Sequence, residues 1–165
     1  MLFSDIAATS EAVAATPART QKIALLAERL REAGPDDAAI VAAWLSGQTR
    51  QRRTGLGWAS LRDLPPPAQT ASLSVTEVDD ALATAAELSG PGSATARQAL
   101  LSRLLHAATA PEQRFLAALV SGEVRQGAQA SVLLDALAQA AEVPVAEVRR
   151  ALAVHADLPA IAAAA

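Results

Sequence analysis

Apolar residues recur along most of the chain at intervals of three and four positions, which is the period of an amphipathic helix. Between Pro17 and Gly34, one complete helical face is formed by Ile23, Leu26, Ala27 and Leu30. Trp44 and Phe115 lie within similar patterns and are predicted core residues. The alternation of apolar and polar residues that indicates a strand never persists. The pattern therefore predicts an all-α fold, a compact multi-helix bundle of about eight to ten helices.

Capping and helix-breaking residues divide this pattern into segments. The Thr16-Pro17 pair, for instance, suits a helix start with Thr16 as the cap and Pro17 at the first helical position. The predicted helices cover residues 2–14, 17–33, 36–46, 58–64, 74–88, 93–108, 111–120, 131–141 and 145–155.

Two segments are predicted to be linkers. Three consecutive prolines begin at Pro65 and cannot continue a helix, so residues 65–72 are predicted to form a linker inside a single domain of residues 1–165. The closing run of alanines, residues 162–165, is predicted to belong to a second linker that leads to further domains.

The residue types of the chain exclude several kinds of chemistry. Cysteine is absent, and the only histidines, His106 and His155, are far apart in the sequence. Disulfides, thiolate chemistry and Cys/His zinc sites are therefore excluded. The N-terminal segment lacks the basic stretch followed by an apolar run that is typical of a signal peptide. Every apolar stretch is interrupted before it reaches the length of a bilayer span. We expect a soluble, cytoplasmic domain with no membrane partner.

The distribution of charge is more informative than its total. The net charge is −3, which argues against nucleic-acid binding because phosphate is bound through Lys and Arg. Residues 46–62, however, carry four arginines and no acid, whereas residues 63–90 carry five acids and no base. Residues 91–131 return to a net charge of +2, from four arginines and two glutamates. The sequence is compatible with a local basic face, although ordinary helix-face ion pairs scattered unevenly would give the same counts.

A Ser-Gly pair ends three of the apolar helices, and arginine follows each pair. The glycines are Gly47, Gly90 and Gly122. The arginines that follow them are Arg50, Arg52 and Arg53, then Arg97, and then Arg125. Glycine lets backbone approach a ligand closely, the next helix offers unpaired N–H groups, and a guanidinium can bind phosphate with two hydrogen bonds. Three such loops could follow a phosphate backbone, although glycine caps are common in helical proteins.

Three segments of the chain carry a resemblance to a known family: residues 88–93 (LSGPGS), 108–116 (ATAPEQRFL) and 121–128 (SGEVRQGA). In this order they resemble the N-terminal DNA-binding domain of bacterial ATP-dependent DNA ligases. Shorter agreements at residues 3–5, 16–22 and 55–58 extend the resemblance over almost the whole chain. The most specific element is Gly-x-x-Arg-x-Gly in the third segment, followed by Ser-Gly-x-Gly-Ser in the first.

The resemblance implies a helical domain on the minor-groove side of nicked double-stranded DNA that binds independently of base sequence. It implies backbone contacts at three places. These are Gly122, Arg125 and Gly127; then Gly90, Gly92 and Ser93, with Arg97 beside them; and then Arg50, Arg52 and Arg53.

The resemblance also implies that catalysis takes place in other domains. In these ligases the lysine of a Lys-x-Asp-Gly motif is adenylated by ATP, whereas the only lysine here, Lys22, precedes Ile-Ala-Leu. We therefore expect no catalytic residue in this chain. ATP and Mg²⁺ would be bound by a covalently linked nucleotidyltransferase domain, which an OB-fold domain would accompany. The parent would be a nucleoid-associated monomer in a bacterial cytoplasm, acting in DNA repair or replication.

Two other classes of function remain open. A helical protein-interaction module would use an apolar groove between the alanine-rich helices and would be indifferent to salt and to the loss of Arg125. A small helical enzyme would be active without added domains. DNA binding predicts instead an affinity that falls with salt and with the loss of arginine.

Overall fold

The computed structural model describes residues 1–51, 53–127, 130–155 and 158–164, and this part of the chain folds as an all-α domain, as predicted. Nine α-helices and one 3-10 helix are present in these ranges. The α-helices are α1 (Phe3–Ala15), α2 (Arg19–Glu32), α3 (Gly34–Leu45), α4 (Val75–Glu87), α5 (Ser93–Ala107), α6 (Ala110–Ser121), α7 (Ala130–Ala140), α8 (Val145–His155) and α9 (Leu158–Ala164). The 3-10 helix is Trp58–Leu61. None of the described helices is long and apolar enough to cross a membrane.

The core lies where α1, α3 and α6 meet. Trp44 is fully buried, and the ring of Phe3 meets it edge-on, with centroids 5.4 Å apart. Phe115 lies on the other side of Phe3, at a centroid distance of 5.7 Å. Both predicted core aromatics are therefore confirmed. Around this centre, α2 packs along α7, and α3 packs along α9.

Helices α4 and α6 each begin with a capping box, in which a hydroxyl residue and a carboxylate three positions later cap the first turn. At α4, the N–H of Glu77 donates to Ser74 Oγ at 3.1 Å, and the N–H of Ser74 donates to the Glu77 carboxylate at 2.8 Å. At α6, the N–H of Thr109 donates to the carboxylate of Glu112 at 2.7 Å. Both caps stabilise a helix directly after an irregular segment.

The α4 capping box predicts an acid-sensitive contribution to stability. The Ser74 backbone N–H, followed by its hydroxyl, lowers the pKa of Glu77 below its ordinary value. Because the folded-state pKa is the lower one, the contribution is present above the unfolded pKa of about 4.3 and is lost as the pH falls through the folded value. We expect Glu77→Gln to remove this dependence, as measured by urea unfolding at pH 7 and at pH 3. Glu28→Gln, at an exposed position within α2, is the matched control and should leave the dependence intact.

The predicted start of the second helix was wrong. Thr16 does not cap α2 but ends α1, since its hydroxyl donates to the carbonyl of Ala12 at 2.8 Å. The second helix starts at Arg19, after an extended Ala18. A Ser or Thr hydroxyl between two helices can hydrogen-bond either to the preceding helix or to the following one, and the hydroxyl of Thr16 bonds to the preceding helix.

Two further boundaries differ from the prediction because proline is tolerated in the first turn of a helix. The third helix begins at Gly34, so that Pro35 lies inside its first turn rather than before it. The sixth helix likewise begins at Ala110, one residue before Pro111. In contrast, the helix predicted at residues 58–64 is only the short 3-10 turn that ends at Leu61.

The proline-rich segment at residues 65–72 has no helix and lies against the helical domain. The N–H of Ala68 donates to the carbonyl of Ala108 at 2.9 Å, and Gln113 Nε2 donates to the carbonyl of Pro65 at 3.1 Å. These bonds tie the segment to the ends of α5 and α6.

The prediction that the closing alanines form a linker was wrong for the residues that the structure describes. Residues 162–164 belong to α9. Ile161 and Ala162 are buried, and the helix packs on α3. Alanine has the highest helix propensity, and its small side chain allows this close packing. Ala165 lies outside the described residues.

Candidate nucleic-acid interface

Three loops carry the residues predicted to contact a phosphate backbone. The first glycine loop is residues 46–57, the second is residues 88–92 and the third is residues 122–127. Gly47, Gly90 and Gly122 have φ values of 83°, 78° and 72°, in the left-handed region that favours glycine. Gly122 caps α6 and Gly47 directly follows the cap of α3, as predicted, whereas Gly90 lies two residues beyond the cap of α4.

The first and third glycine loops are in contact. A Cβ added at Gly47 would lie 3.4 Å from Cβ of Val124. Residues from both loops, among them Arg53, Gly55 and Gly122, line one open cleft of about 580 Å³. Two loops that are far apart in sequence therefore form the two walls of a single cleft.

The second glycine loop is joined to the first by Arg97. Its guanidinium donates to the carbonyl of Ala85 at 2.9 Å and to the carbonyl of Leu88, at the end of α4. It also lies across Gly55, where a Cβ would come within 2.6 Å of Nε. These contacts favour a structural role for Arg97, which holds two loops together; its direct contact with phosphate stays a prediction.

The second glycine loop also exposes the start of α5. Gly92 is the cap residue and has no side chain to satisfy the first-turn N–H groups, and the first turn contains no acid. Gly90 and Gly92 are both exposed, and Ser93 is the first helical residue. This helix start therefore differs from those of α4 and α6, which have capping boxes, and its N–H groups can serve an anion.

Arg50 is paired within the chain. Its Nε donates to Asp79 Oδ2 at 3.2 Å, its Nη2 donates to the same oxygen, and Gln51 Nε2 donates to Asp79 Oδ1 at 3.1 Å. The side chain of Asp79 is 1% exposed and that of Arg50 is 44% exposed. The hydrogen bond and the negative charge of Asp79 raise the pKa of Arg50 above its ordinary value. The first glycine loop is thus anchored on α4, and phosphate contact by Arg50 stays a prediction.

Two predicted arginines are exposed at the edges of the loops. Arg53 lies in the first glycine loop and lines the cleft. Arg125 lies in the third and lines a neighbouring cavity of about 150 Å³ together with Arg114. Within the described ranges, no carboxylate lies within 4.0 Å of either Arg53 or Arg125. Arg52 lies outside the described residues.

Comparison with known proteins agrees with the resemblance found in the sequence. Residues 60–138 match the family model described as "DNA ligase N terminus". The chain is 58% identical over 151 residues to a "Probable DNA ligase" of Beutenbergia cavernae, covering 92% of this chain and 30% of that protein. The chain belongs to the DNA ligase N-terminal family.

Two mycobacterial relatives extend the similarity over nearly the full chain. A "Probable DNA ligase" of Mycobacterium marinum is 51% identical over 166 residues, covering 99% of this chain and 32% of that protein. "DNA ligase B" of Mycobacterium tuberculosis is 49% identical over 166 residues, with 99% and 33% covered. The chain therefore spans about a third of the length of these relatives. The family match includes the second and third glycine loops of this ligase N-terminal domain and excludes the first.

Three side chains that hold the glycine loops in place were not predicted from the sequence. Asp79 anchors the first loop, and Lys22 and Gln126 anchor the third. Their bonds join residues 29, 104 and 81 positions apart in sequence. No local motif marks such contacts. For Lys22, the only available signal was its being the single lysine in a chain otherwise rich in arginine.

Proposed function

We propose that this ligase N-terminal domain binds the sugar-phosphate backbone of nicked double-stranded DNA from the minor-groove side, without reading the base sequence. The observation that carries the proposal is the contact between the first and third glycine loops, with the second joined to the first through Arg97 and with Arg53 and Arg125 exposed beside them. Loops that lay far apart could not contact successive phosphates of one DNA strand. Loops that are joined to one another can present several phosphate-binding groups to the same sugar-phosphate backbone.

The chemistry of the loops suits phosphate better than bases. Left-handed glycines bring bare backbone to the surface, and the uncapped start of α5 offers N–H groups at the positive end of a helix dipole. Guanidinium and backbone N–H donors bind phosphate oxygens whatever the base sequence. In a chain of net charge −3, this binding depends on local positive groups and should weaken steeply with salt.

The relatives also support a proposal for the whole protein. We infer a bacterial ATP-dependent DNA ligase that acts in DNA repair or replication, in which nucleotidyltransferase and OB-fold domains supply the remaining DNA contacts. ATP and Mg²⁺ belong to that nucleotidyltransferase domain. Among the described residues, no group of three His, Asp or Glu side chains is placed to hold a metal ion. Lys22 donates hydrogen bonds to two carbonyls, an arrangement that suits a structural amine rather than a nucleophile.

The proposal is tested by fluorescence anisotropy with nicked and intact duplexes of random sequence, at low and moderate salt. We expect the Arg53→Ala, Arg125→Ala double variant to bind about a hundredfold more weakly, since two charge-assisted hydrogen bonds of roughly 1.5 kcal/mol each are lost. The slope of log affinity against log salt should also fall by about two, because each contact releases about one counterion.

Arg150→Ala is the matched control for this experiment. Arg150 is 75% exposed on α8, a helix that packs on α7 and α9, and it lies outside the three glycine loops in sequence. The control should bind as the native chain does. Failure of the native chain to bind either duplex at low salt would reject DNA as its ligand, and equal affinities for the native chain and the double variant would remove the interface from the glycine loops.

A second candidate function, protein–protein interaction, is favoured by one observation. An apolar cavity of about 300 Å³ lies between α2, α3, α7 and α9, lined mostly by alanine and leucine. A domain that acts only through this cavity would bind neither duplex at low salt, so the same titrations separate the two functions.

A further inference from the structure

Lys22 is the only lysine among the 165 residues, and its ammonium group contacts the third glycine loop. Nζ donates to the carbonyl of Gln126 at 3.0 Å and to the carbonyl of Gly127 at 3.3 Å. Gly127 has a φ of +62°, and a Cβ at this position would lie only 2.7 Å from Nζ. Glycine at position 127 therefore serves two purposes: it permits the left-handed backbone, and it leaves room for the ammonium group.

The same loop is held from a second side by Gln126. The Gln126 side chain is 4% exposed, and its Nε2 donates to the carbonyl of Leu45, the last residue of α3. That carbonyl lies at a helix end, where no N–H of the helix itself can satisfy it. The backbone at residues 126 and 127 is thus tied to α2 through Lys22 and to α3 through Gln126.

These ties also determine where the backbone N–H groups point. The described peptide bonds are all trans, and in a trans peptide the C=O and the N–H point in opposite directions. Because the carbonyl of Gln126 points toward Lys22, the N–H of Gly127 points away from α2. Within the described residues, this N–H donates to no acceptor of the chain. Without the ammonium, the carbonyls could turn outward and present partial negative charge to an approaching phosphate.

We propose that Lys22 is the positioning residue of the third glycine loop. It holds the carbonyls of Gln126 and Gly127 inward, so that the Gly127 N–H and the neighbouring Arg125 face a DNA phosphate. Lys22 itself does not contact the phosphate. This assignment rests on the proposed function, because it names the residue that prepares one of the proposed contacts.

Lys22→Met tests the assignment, because methionine keeps the length and helix propensity of lysine and removes the donor. We expect DNA affinity to fall about fivefold, the equivalent of one hydrogen bond. The salt slope should stay at its native value, since Lys22 releases no counterion, whereas Arg125→Ala should lower that slope by about one. Gln21→Met, at the exposed neighbouring position on α2, is the matched control and should bind like the native chain.

A double-mutant cycle separates positioning from a general loss of stability. Gly127→Ala should push the ammonium off the carbonyls and also strain the left-handed backbone. Lys22→Met and Gly127→Ala should therefore be non-additive, and the double variant should bind about as weakly as Gly127→Ala alone. The ¹⁵N and ¹H shifts of the Gly127 amide, recorded without DNA, should change in Lys22→Met. The dispersion of the other amide signals in the same spectrum shows whether that variant is folded.

The outcomes are distinguishable. Failure of the native chain to bind DNA at low salt would overturn the proposed function and this assignment together. If Lys22→Met binds DNA as tightly as the native chain does, the assignment of Lys22 is overturned and the proposed function stands. A salt slope lowered by about one in Lys22→Met would make Lys22 a direct phosphate contact and would also overturn it.

Discussion

Replacing Trp44 with alanine is expected to lower the free energy of unfolding by about 3–5 kcal/mol. The side chain is fully buried, and the edge of Phe3 meets it at an interplanar angle of 82°. Truncation removes this aromatic contact and leaves a cavity where α1, α3 and α6 meet. Such a loss is a large part of the stability of a small domain. Urea unfolding followed by circular dichroism gives the measurement.

Trp44→Phe is the informative control for the alanine variant. It keeps an aromatic ring against Phe3 and removes the indole N–H, which is buried and has no acceptor among the described residues. A buried donor without an acceptor destabilises the folded state, so its removal should offset part of the stability that is lost with the packing. We expect a loss of about 1 kcal/mol for this variant. A Trp44→Ala variant that lost less than about 1 kcal/mol would show that Trp44 is not central to the core.

The helices could be predicted from the sequence because their signals are local. Apolar spacing and breaking residues placed most of the helices within a few residues of their observed bounds. The errors came where one residue type has two possible roles. Thr16 can bond backward or forward, and proline can stop a helix or lie in its first turn. The alanines of α9 carry no periodic pattern, so only their packing on α3 reveals the helix.

The candidate site was predicted less completely, because its assembly depends on tertiary contacts. The Ser-Gly pairs indicated three glycine turns, and all three glycines have positive φ. The sequence could not show that Gly47 lies beside Val124 or that Arg97 lies across Gly55. Nor could the sequence separate the arginines that are paired within the chain from those that are exposed. In the structure, Arg50 and Arg97 bind groups of the chain itself, whereas Arg53 and Arg125 are exposed.

Replacing Asp79 with alanine is expected to lower the free energy of unfolding by about 2 kcal/mol. The buried carboxylate accepts hydrogen bonds from Arg50 and from Gln51. Removing it takes away the charge-assisted bonds of Arg50, for which solvent compensates in part because Arg50 is half-exposed, and one of the two acceptors of Gln51 Nε2. The other acceptor of Gln51, the main-chain carbonyl of Asp79 at 3.2 Å, is kept. Because the pKa of Arg50 is raised from an already high value, Arg50 stays charged, and the effect should not vary with pH over the neutral range.

Asp80→Ala is a control matched in position, residue type and charge. Asp80 is the next residue of α4 and is exposed, so its loss should cost less than about 0.5 kcal/mol. Both substitutions remove one negative charge, and on charge alone both should strengthen DNA binding equally. Only Asp79→Ala also removes the carboxylate bonds that hold Arg50 and Gln51 of the first glycine loop on α4, so it should bind DNA more weakly than Asp80→Ala does. Equal affinities for the two variants would mean that the order of the first glycine loop does not contribute to binding, and the interface would then consist of the second and third loops alone.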